Sequence, residues 1–193
     1  MGLRKYNNYF FILFTYYCGI ITAANYTIED STYRARIERD EWGVPHIYGK
    51  RDADVSFGLA YAHAQDDFET MEDIIYALRG ELASIYGRSA AVNDYYVHMM
   101  NFWNMIEKRY ESDVPDDIKI LCEGYAAGIN LFLKDNPQKK KKSFTLVTAK
   151  DIVAGFSHRM PLMFGIDGIF KKLSKDKPPE FIGSNSDLQQ GEF

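Results

Sequence analysis

Arg39-Asp40-Glu41-Trp42-Gly43-Val44-Pro45-His46-Ile47-Tyr48-Gly49 reads as the end of one strand, a turn, and a second short strand. Upstream, Tyr33 to Arg39 alternates, with Tyr33, Ala35 and Ile37 on one face and Arg34, Arg36 and Glu38 on the other. That period of two predicts a half-buried strand. Asp40 to Gly43 makes the turn. Val44 to Tyr48 is the returning strand, and Pro45 confines it to an edge or a strand start because proline donates no ladder hydrogen bond. The two strands predict a small hairpin.

Beyond the hairpin the pattern turns helical. Asp52 stands at an expected N-cap, with Asp54 in the first turn of a helix running to about Gln65. Val55, Leu59 and Ala62 mark its apolar stripe. A second helix carries Phe68, Met71, Ile75, Leu78, Leu82 and Ile85 at spacings of three and four, with Gly87 as a C-terminal stop. A third spans about Tyr95 to Tyr110, with Tyr95, Phe102, Met105 and Ile106 as apolar candidates. Pro115 opens a fourth, with Asp116 and Asp117 at its positive end. Its buried face is Ile118, Leu121, Cys122, Tyr125, Ile129 and Phe132, and Asn136-Pro137 ends it. Lys139 to Lys142 reads as a solvated loop. A last helix covers about Thr148 to Phe164, with Pro161 as the candidate point of a break. Lys175 to Pro179 is linker-like.

The chain has 193 residues, 46% apolar and 26% charged, with a net charge of -4. The composition is globular. The acidic balance and the lack of a basic stripe with interleaved aromatics argue against nucleic acid as a partner. Arg4 and Lys5, the apolar run Phe10 to Ala23, and Thr22-Ala23-Ala24 form an export signal, with removal expected after Ala24. The run is shorter than the ~20 residues of a spanning helix, so no stable membrane anchor is expected. Of the two cysteines, Cys18 falls in this leader. Cys122, on an apolar helix face, reads as a packing residue. The four histidines, His46, His63, His98 and His158, lie on different elements without a metal-ligand spacing, so they read as structural or surface groups and no metal is assigned. There is no Gly-rich phosphate loop and no G-x-S-x-G elbow.

Phe181-Ile182-Gly183-Ser184-Asn185-Ser186 is, alone, a polar turn. Its chemistry changes if the chain is cut between Gly183 and Ser184. Ser184 then holds a hydroxyl nucleophile and a free α-amine. An α-amine titrates near ~7.7–8.0, where a general base is useful.

Arg39 to Gly49 closely resembles the opening signature of the penicillin acylase family. Three further stretches continue the resemblance in order: Gly58-Leu59-Ala60-Tyr61-Ala62-His63-Ala64-Gln65-Asp66, Arg79-Gly80-Glu81-Leu82-Ala83-Ser84-Ile85-Tyr86-Gly87, and Glu123-Gly124-Tyr125-Ala126-Ala127-Gly128-Ile129-Asn130. Gly183-Ser184-Asn185 falls where that family cuts its precursor into α and β chains. The resemblance spans about Tyr33 to Ser186.

The resemblance implies an α+β fold, the Ntn-hydrolase αββα sandwich, of which this chain is the mainly helical α-chain part with a short N-terminal hairpin. It divides the chain into a signal peptide (1–24), an α-chain-like helical region (25–183) and a truncated start of the β chain (184–193). The rest of the β chain is missing from the sequence, and a natural short paralogue and a fragment both remain open. The implied function is an exported, periplasmic or secreted amidase acting on an acyl-homoserine lactone, a β-lactam or a lipopeptide. Ser184 is the implied nucleophile and Gly183–Ser184 the self-cleavage site. No cofactor is implied. Calcium occurs in complete family enzymes, with ligands mostly outside this chain. An ungapped match from Asp151-Ile152-Val153-Ala154 puts Met160, Met163 and Phe164 where the penicillin acylases carry Met, Arg and Phe at the acyl pocket. Met163 stands in the arginine's place, leaving a soft apolar wall; ordinary core packing is the competing reading. The competing function is a non-catalytic secreted helical protein.

Overall fold

The computed structural model describes residues 25–141 and 143–173. The leader, Lys175 to Pro179, Gly183 and Ser184 lie outside the described residues.

The expected hairpin is present and carries one more strand than expected. β1 (Asn25–Glu29), β2 (Arg34–Arg39) and β3 (Pro45–Gly49) form an antiparallel sheet in that order. The register sets Ile28 opposite Ala35 and Ile37 opposite Ile47, so Ile28, Ala35 and Ile37 are buried on one face. The Asp40 carboxylate accepts from the N–H groups of Trp42 and Val44, both at 2.9 Å, and closes the turn. Pro45 starts an edge strand, where its missing N–H costs no ladder bond.

The two helices expected over Asp52 to Ile85 meet where expected, at a kink at Asp67 (φ -154°, ψ 71°), and together form α1 (Asp52–Arg79). Asp67 caps the restarted helix by accepting from the Thr70 N–H at 3.1 Å, the bond an N-cap carboxylate ordinarily makes. Arg51, not Asp52, is the N-cap. Asp54 folds back instead, accepting from the Arg51 N–H and guanidinium at 3.0 Å. The Arg51 hydrogen bond outweighs burial and holds the Asp54 carboxyl down at about 2. Gly80, in the left-handed region at φ +68°, ends α1, so Leu82 and Ile85 do not continue the stripe. Leu59 is exposed.

A short helix, α2 (Ala83–Tyr86), ends at Gly87, where a stop was expected, and leads through a 3-10 turn. The expected third helix is two, α3 (Ala91–Met100) and α4 (Phe102–Asp113), broken at Asn101, which adopts φ 56°. The break turns the faces, so Tyr96 and Val97 are buried while Tyr95 and Met105 are exposed. α5 (Asp116–Asp135) runs as expected from Pro115 to Asn136, and Cys122 is buried, although Ile118 is exposed. Lys141 is not a solvated lysine. Its Nζ lies 2.7 Å from Glu72 and 3.0 Å from Asp73. Burial alone would lower its pKa; the two carboxylates outweigh that and raise it.

α1 and α5 pack together closely. A Cβ at Gly128 would sit 2.2 Å from the Phe57 carbonyl oxygen, and one at Gly124 2.5 Å from that of Ala53. Only glycine permits backbones that near. Tyr61, Phe132, Phe68 and Phe144 then meet in turn through the core, edge-on or tilted. α6 (Ala149–Met163) and α7 (Ile166–Leu173) complete the described chain. α6 is not broken at Pro161, and α7 was not foreseen.

Candidate functional site

Met160 and Met163 lie in the last turn of α6 and Phe164 is its C-cap, so the site is built from whatever fixes that helix. At its start Thr148 is the N-cap, and the Asp151 carboxylate accepts from the Thr148 N–H at 2.8 Å and hydroxyl at 2.9 Å. Asp151 also takes a fork from Arg79 at the end of α1, with Nε at 2.8 Å and Nη2 at 2.9 Å. Its side chain is 2% exposed and that of Arg79 14%. A paired, bidentate carboxylate is the form in which a buried charge is tolerated. Arg79 donates further to the Thr145 hydroxyl (2.6 Å) and the Leu146 carbonyl (2.9 Å). The preceding loop is held by Asn130, which exchanges two hydrogen bonds with the Val147 backbone at 2.8 and 2.9 Å.

The other end of α6 is fixed by α3. The Tyr96 hydroxyl donates to the His158 carbonyl at 2.9 Å. His158 Nε2 lies 2.9 Å from the Asn93 amide oxygen, and the Asn93 amide nitrogen donates to the Ala77 carbonyl at 2.9 Å. That second bond orients the amide, so His158 Nε2 carries the proton. Burial, with a smaller effect from Arg159, pushes His158 below the usual imidazole range, keeping the ring neutral near pH 7. Tyr96 meets the rings of Phe102, His158 and Phe170 edge-on at 5.4, 5.2 and 4.9 Å.

With Asp151, Ala154 and His158 turned inward, the opposite face of α6 points outward. It carries Phe156, Met160 and Met163, with Phe164 following at the C-cap; they are 73%, 49%, 69% and 82% exposed. Spacings of four and three put the first three on one side of the helix. None of the four is packed into the core of the described residues. Phe156 belongs to the stripe and was overlooked, although it stands four residues before Met160. The polar ties at Asn93, Tyr96 and His158 had no sequence signal, because they join residues distant in the chain. A separate cleft of about 570 Å³ lies beside the start of α6, lined by Arg79, Trp103, Glu107, Tyr110 and Leu146 among others; Met160, Met163 and Phe164 are not part of it.

The remaining histidines are dispersed. His46 Nε2 is 3.1 Å from the Asp40 carboxylate, and His63 Nδ1 is 2.9 Å from the Tyr125 hydroxyl. Among the described residues, no group of three or more His, Cys, Asp or Glu side chains could hold a metal ion. Nor is any described helix long and apolar enough to cross a membrane. Gly183 and Ser184 are outside the described residues, so their relation to the stripe is a matter of proposal.

Comparison with known proteins points one way. The sequence model of the penicillin amidase family matches residues 34–171. An acyl-homoserine lactone acylase PvdQ of Pseudomonas fluorescens (strain Pf0-1) is 25% identical over 163 residues, covering 78% of this chain and 21% of that protein. Penicillin G acylase of Escherichia coli is 32% identical over 106 residues, covering 54% of this chain and 12% of that protein. The chain thus spans about a fifth or less of the length of these curated relatives. A thermostable penicillin G acylase from Alcaligenes faecalis, solved in tetragonal form, superposes with a TM-score of 0.57 at 22% identity, over 74% of this chain and 76% of that one. This last likeness is one of fold, and it agrees with a mainly helical α+β chain bearing a small antiparallel sheet. On the match over residues 34–171, the chain belongs to the penicillin amidase family.

Proposed function

We propose that this chain is the α-chain-like part of an exported acylase that hydrolyses an acyl amide of the acyl-homoserine lactone, β-lactam or lipopeptide type. The observation that carries the reading is the stripe on α6. In a member of an acylase family, four large apolar side chains stand uncovered on one face and at the C-cap of a helix whose other face is locked in place. Exposed apolar surface of this kind marks a binding or contact face.

In the proposed reaction the chain is first cut between Gly183 and Ser184. The Ser184 hydroxyl then attacks the amide carbonyl, and its own α-amine takes the hydroxyl proton through a bridging water. Backbone N–H groups hold the oxyanion of the tetrahedral intermediate. The C–N bond breaks, the proton passes to the leaving amine, and an ester on Ser184 remains. Water hydrolyses that ester, releasing the acid and restoring the hydroxyl. Met160, Met163 and Phe164 form one wall for the acyl chain. Met163 offers no charge there, so the wall suits a fatty or aromatic acyl group rather than a polar one. The reading calls for no cofactor, and it places the enzyme in the periplasm or outside the cell. In this reading the sheets and the oxyanion donors come from the β chain.

The test is acyl capture. Displacement of the dye anilinonaphthalene sulfonate by decanoic acid measures binding to the chain. Burying a phenylalanine side chain is worth ~1.5–3 kcal/mol, so Phe164→Ala is expected to weaken decanoate binding by roughly tenfold or more with the fold retained. Equal binding by the native chain, Phe164→Ala and Met163→Ala would remove the wall from the site.

A further inference from the structure

The stripe's shape depends on how the last turn of α6 is held, and that turn contains a proline. Pro161 has no N–H to give to the carbonyl one turn earlier, so the helix is weakest where Met160, Met163 and Phe164 emerge. Yet α6 continues through Pro161 to Met163. The turn just before that weak point is tied to α3. Tyr96 donates to the His158 main chain at 2.9 Å, and Asn93 takes the His158 ring proton at 2.9 Å. Asn93 is itself anchored to the end of α1 through the Ala77 carbonyl. Tyr96 is 2% exposed, and Phe170 of α7 closes over it at 4.9 Å. Neither Asn93 nor Tyr96 belongs to the exposed stripe.

We propose that Tyr96 and Asn93 are positioning residues that set acyl-chain length preference by fixing the register of the α6 end. The proposal rests on the acyl-wall reading above. The two α3 side chains grip His158 at two points, one at its main chain and one at its ring. Together they hold the turn two residues before Met160 against rotation. Loosening either grip frees the turn that leads into Pro161, so that Met160 and the helix end beyond it shift together. The wall keeps its residues and its apolar surface, but the distance from its base to its rim changes. Preference between short and long acyl chains then shifts more than affinity for acyl chains in general.

The experiment compares binding of hexanoic and decanoic acids to the full 193-residue chain by the same dye displacement. Tyr96→Phe keeps the ring packing and removes only the hydroxyl. It is expected to change the decanoate-to-hexanoate affinity ratio by about three- to tenfold, the range set by one net hydrogen bond. Asn93→Ser, which leaves the Tyr96 ring untouched, is expected to change the ratio in the same direction. The control is Tyr61→Phe, which removes a comparable buried hydroxyl bond, 3.0 Å to Asp135 and far along the chain. It should lower stability similarly and leave the ratio unchanged. If the native chain binds neither acid, the acyl-wall reading falls and this proposal with it. If it binds both, and neither Tyr96→Phe nor Asn93→Ser moves the ratio beyond Tyr61→Phe, the positioning role alone is overturned.

Discussion

Replacing Asp151 by asparagine keeps the shape of the side chain and removes its charge, at the point where α6 is pinned to α1. Asp151 accepts four hydrogen bonds, two from Arg79 at 2.8 and 2.9 Å and two from Thr148 at 2.8 and 2.9 Å. Breaking a buried pair by removing one partner costs ~3–5 kcal/mol, mostly because the other charge is left buried. Asp151→Asn belongs at the lower end. Arg79 keeps Thr145 and the Leu146 carbonyl, and its side chain is 14% exposed. Arg79→Met belongs at the upper end, because it strands a carboxylate whose side chain is 2% exposed. The double variant contains neither charge, and asparagine still accepts from Thr148. Its loss should therefore fall short of the summed single losses by about 2 kcal/mol or more, as expected for residues acting as a unit. Urea unfolding of the four proteins measures this, with unchanged slopes as the condition for reading midpoints as stability. Single effects that add to within ~0.5 kcal/mol would refute the claim that the pair works as one buried unit.

Gly128→Ala should destabilise despite alanine's ~1 kcal/mol helix advantage, because the new Cβ would meet the Phe57 carbonyl oxygen at 2.2 Å and overpacking costs ~1–3 kcal/mol. Gly155→Ala, whose Cβ would meet only Leu78 at 3.8 Å, should stabilise; thermal unfolding that ranks the two the other way would contradict the packing described for α1 and α5. Asp54 is held at about 2 against an ordinary 3.8, so its contribution to stability is present above about pH 4 and disappears as pH falls through 2. Asp54→Asn should lack that part of the acid dependence in chemical-denaturation profiles, and identical profiles would show that the carboxylate is not tied to Arg51 in solution. Residues 25–193 incubated alone near neutral pH should stay intact, since orientation worth ~7–11 kcal/mol of barrier is needed at Ser184; mass spectrometry finding a fragment ending at Gly183, abolished by Ser184→Ala, would show that this part suffices for the cut. Exported protein should begin at Asn25 by N-terminal sequencing, and an intact Met1 in a membrane fraction would point to an anchor instead.

The hairpin and α5 were legible because their signals are local. Alternation over Tyr33 to Ile37 and the Pro115 start need no distant partner to be read. β1 was missed because five residues beside an apolar leader carry too little alternation to stand out. The α3–α4 break was missed because asparagine at Asn101 is an ordinary helix residue until it takes a positive φ. Lys141 was read as solvated because its charge run looks uniform in sequence, whereas Glu72 and Asp73 reach it from α1. At the candidate site, family resemblance supplied Met160, Met163 and Phe164, and helical spacing could have added Phe156. The pinning of α6 by Arg79, Asn93 and Tyr96 was illegible, since those partners come from parts of the chain separated by 62 to 72 residues.

Those separations also dictate an order of assembly. Joining Arg79 to Asp151 directly closes a loop of 72 residues, and the Ser56–Leu121 bond between α1 and α5 closes one of 65. The entropic cost is nearly the same for both, since doubling a loop adds only about 0.6 kcal/mol, but α1 and α5 bring a long apolar seam to meet it. Once they are joined, Asn130 has only 17 residues to span to reach Val147, and Asp151 follows four residues later. α6 is thus delivered to Arg79 at little further cost, and its far end closes on Tyr96 last. The element that forms last on such a path is the one most readily released, so amide exchange should be fastest through Ser157 to Phe164 while α1 and α5 remain protected. The end of α6 is therefore the part of the fold whose release leaves the seam between α1 and α5 intact.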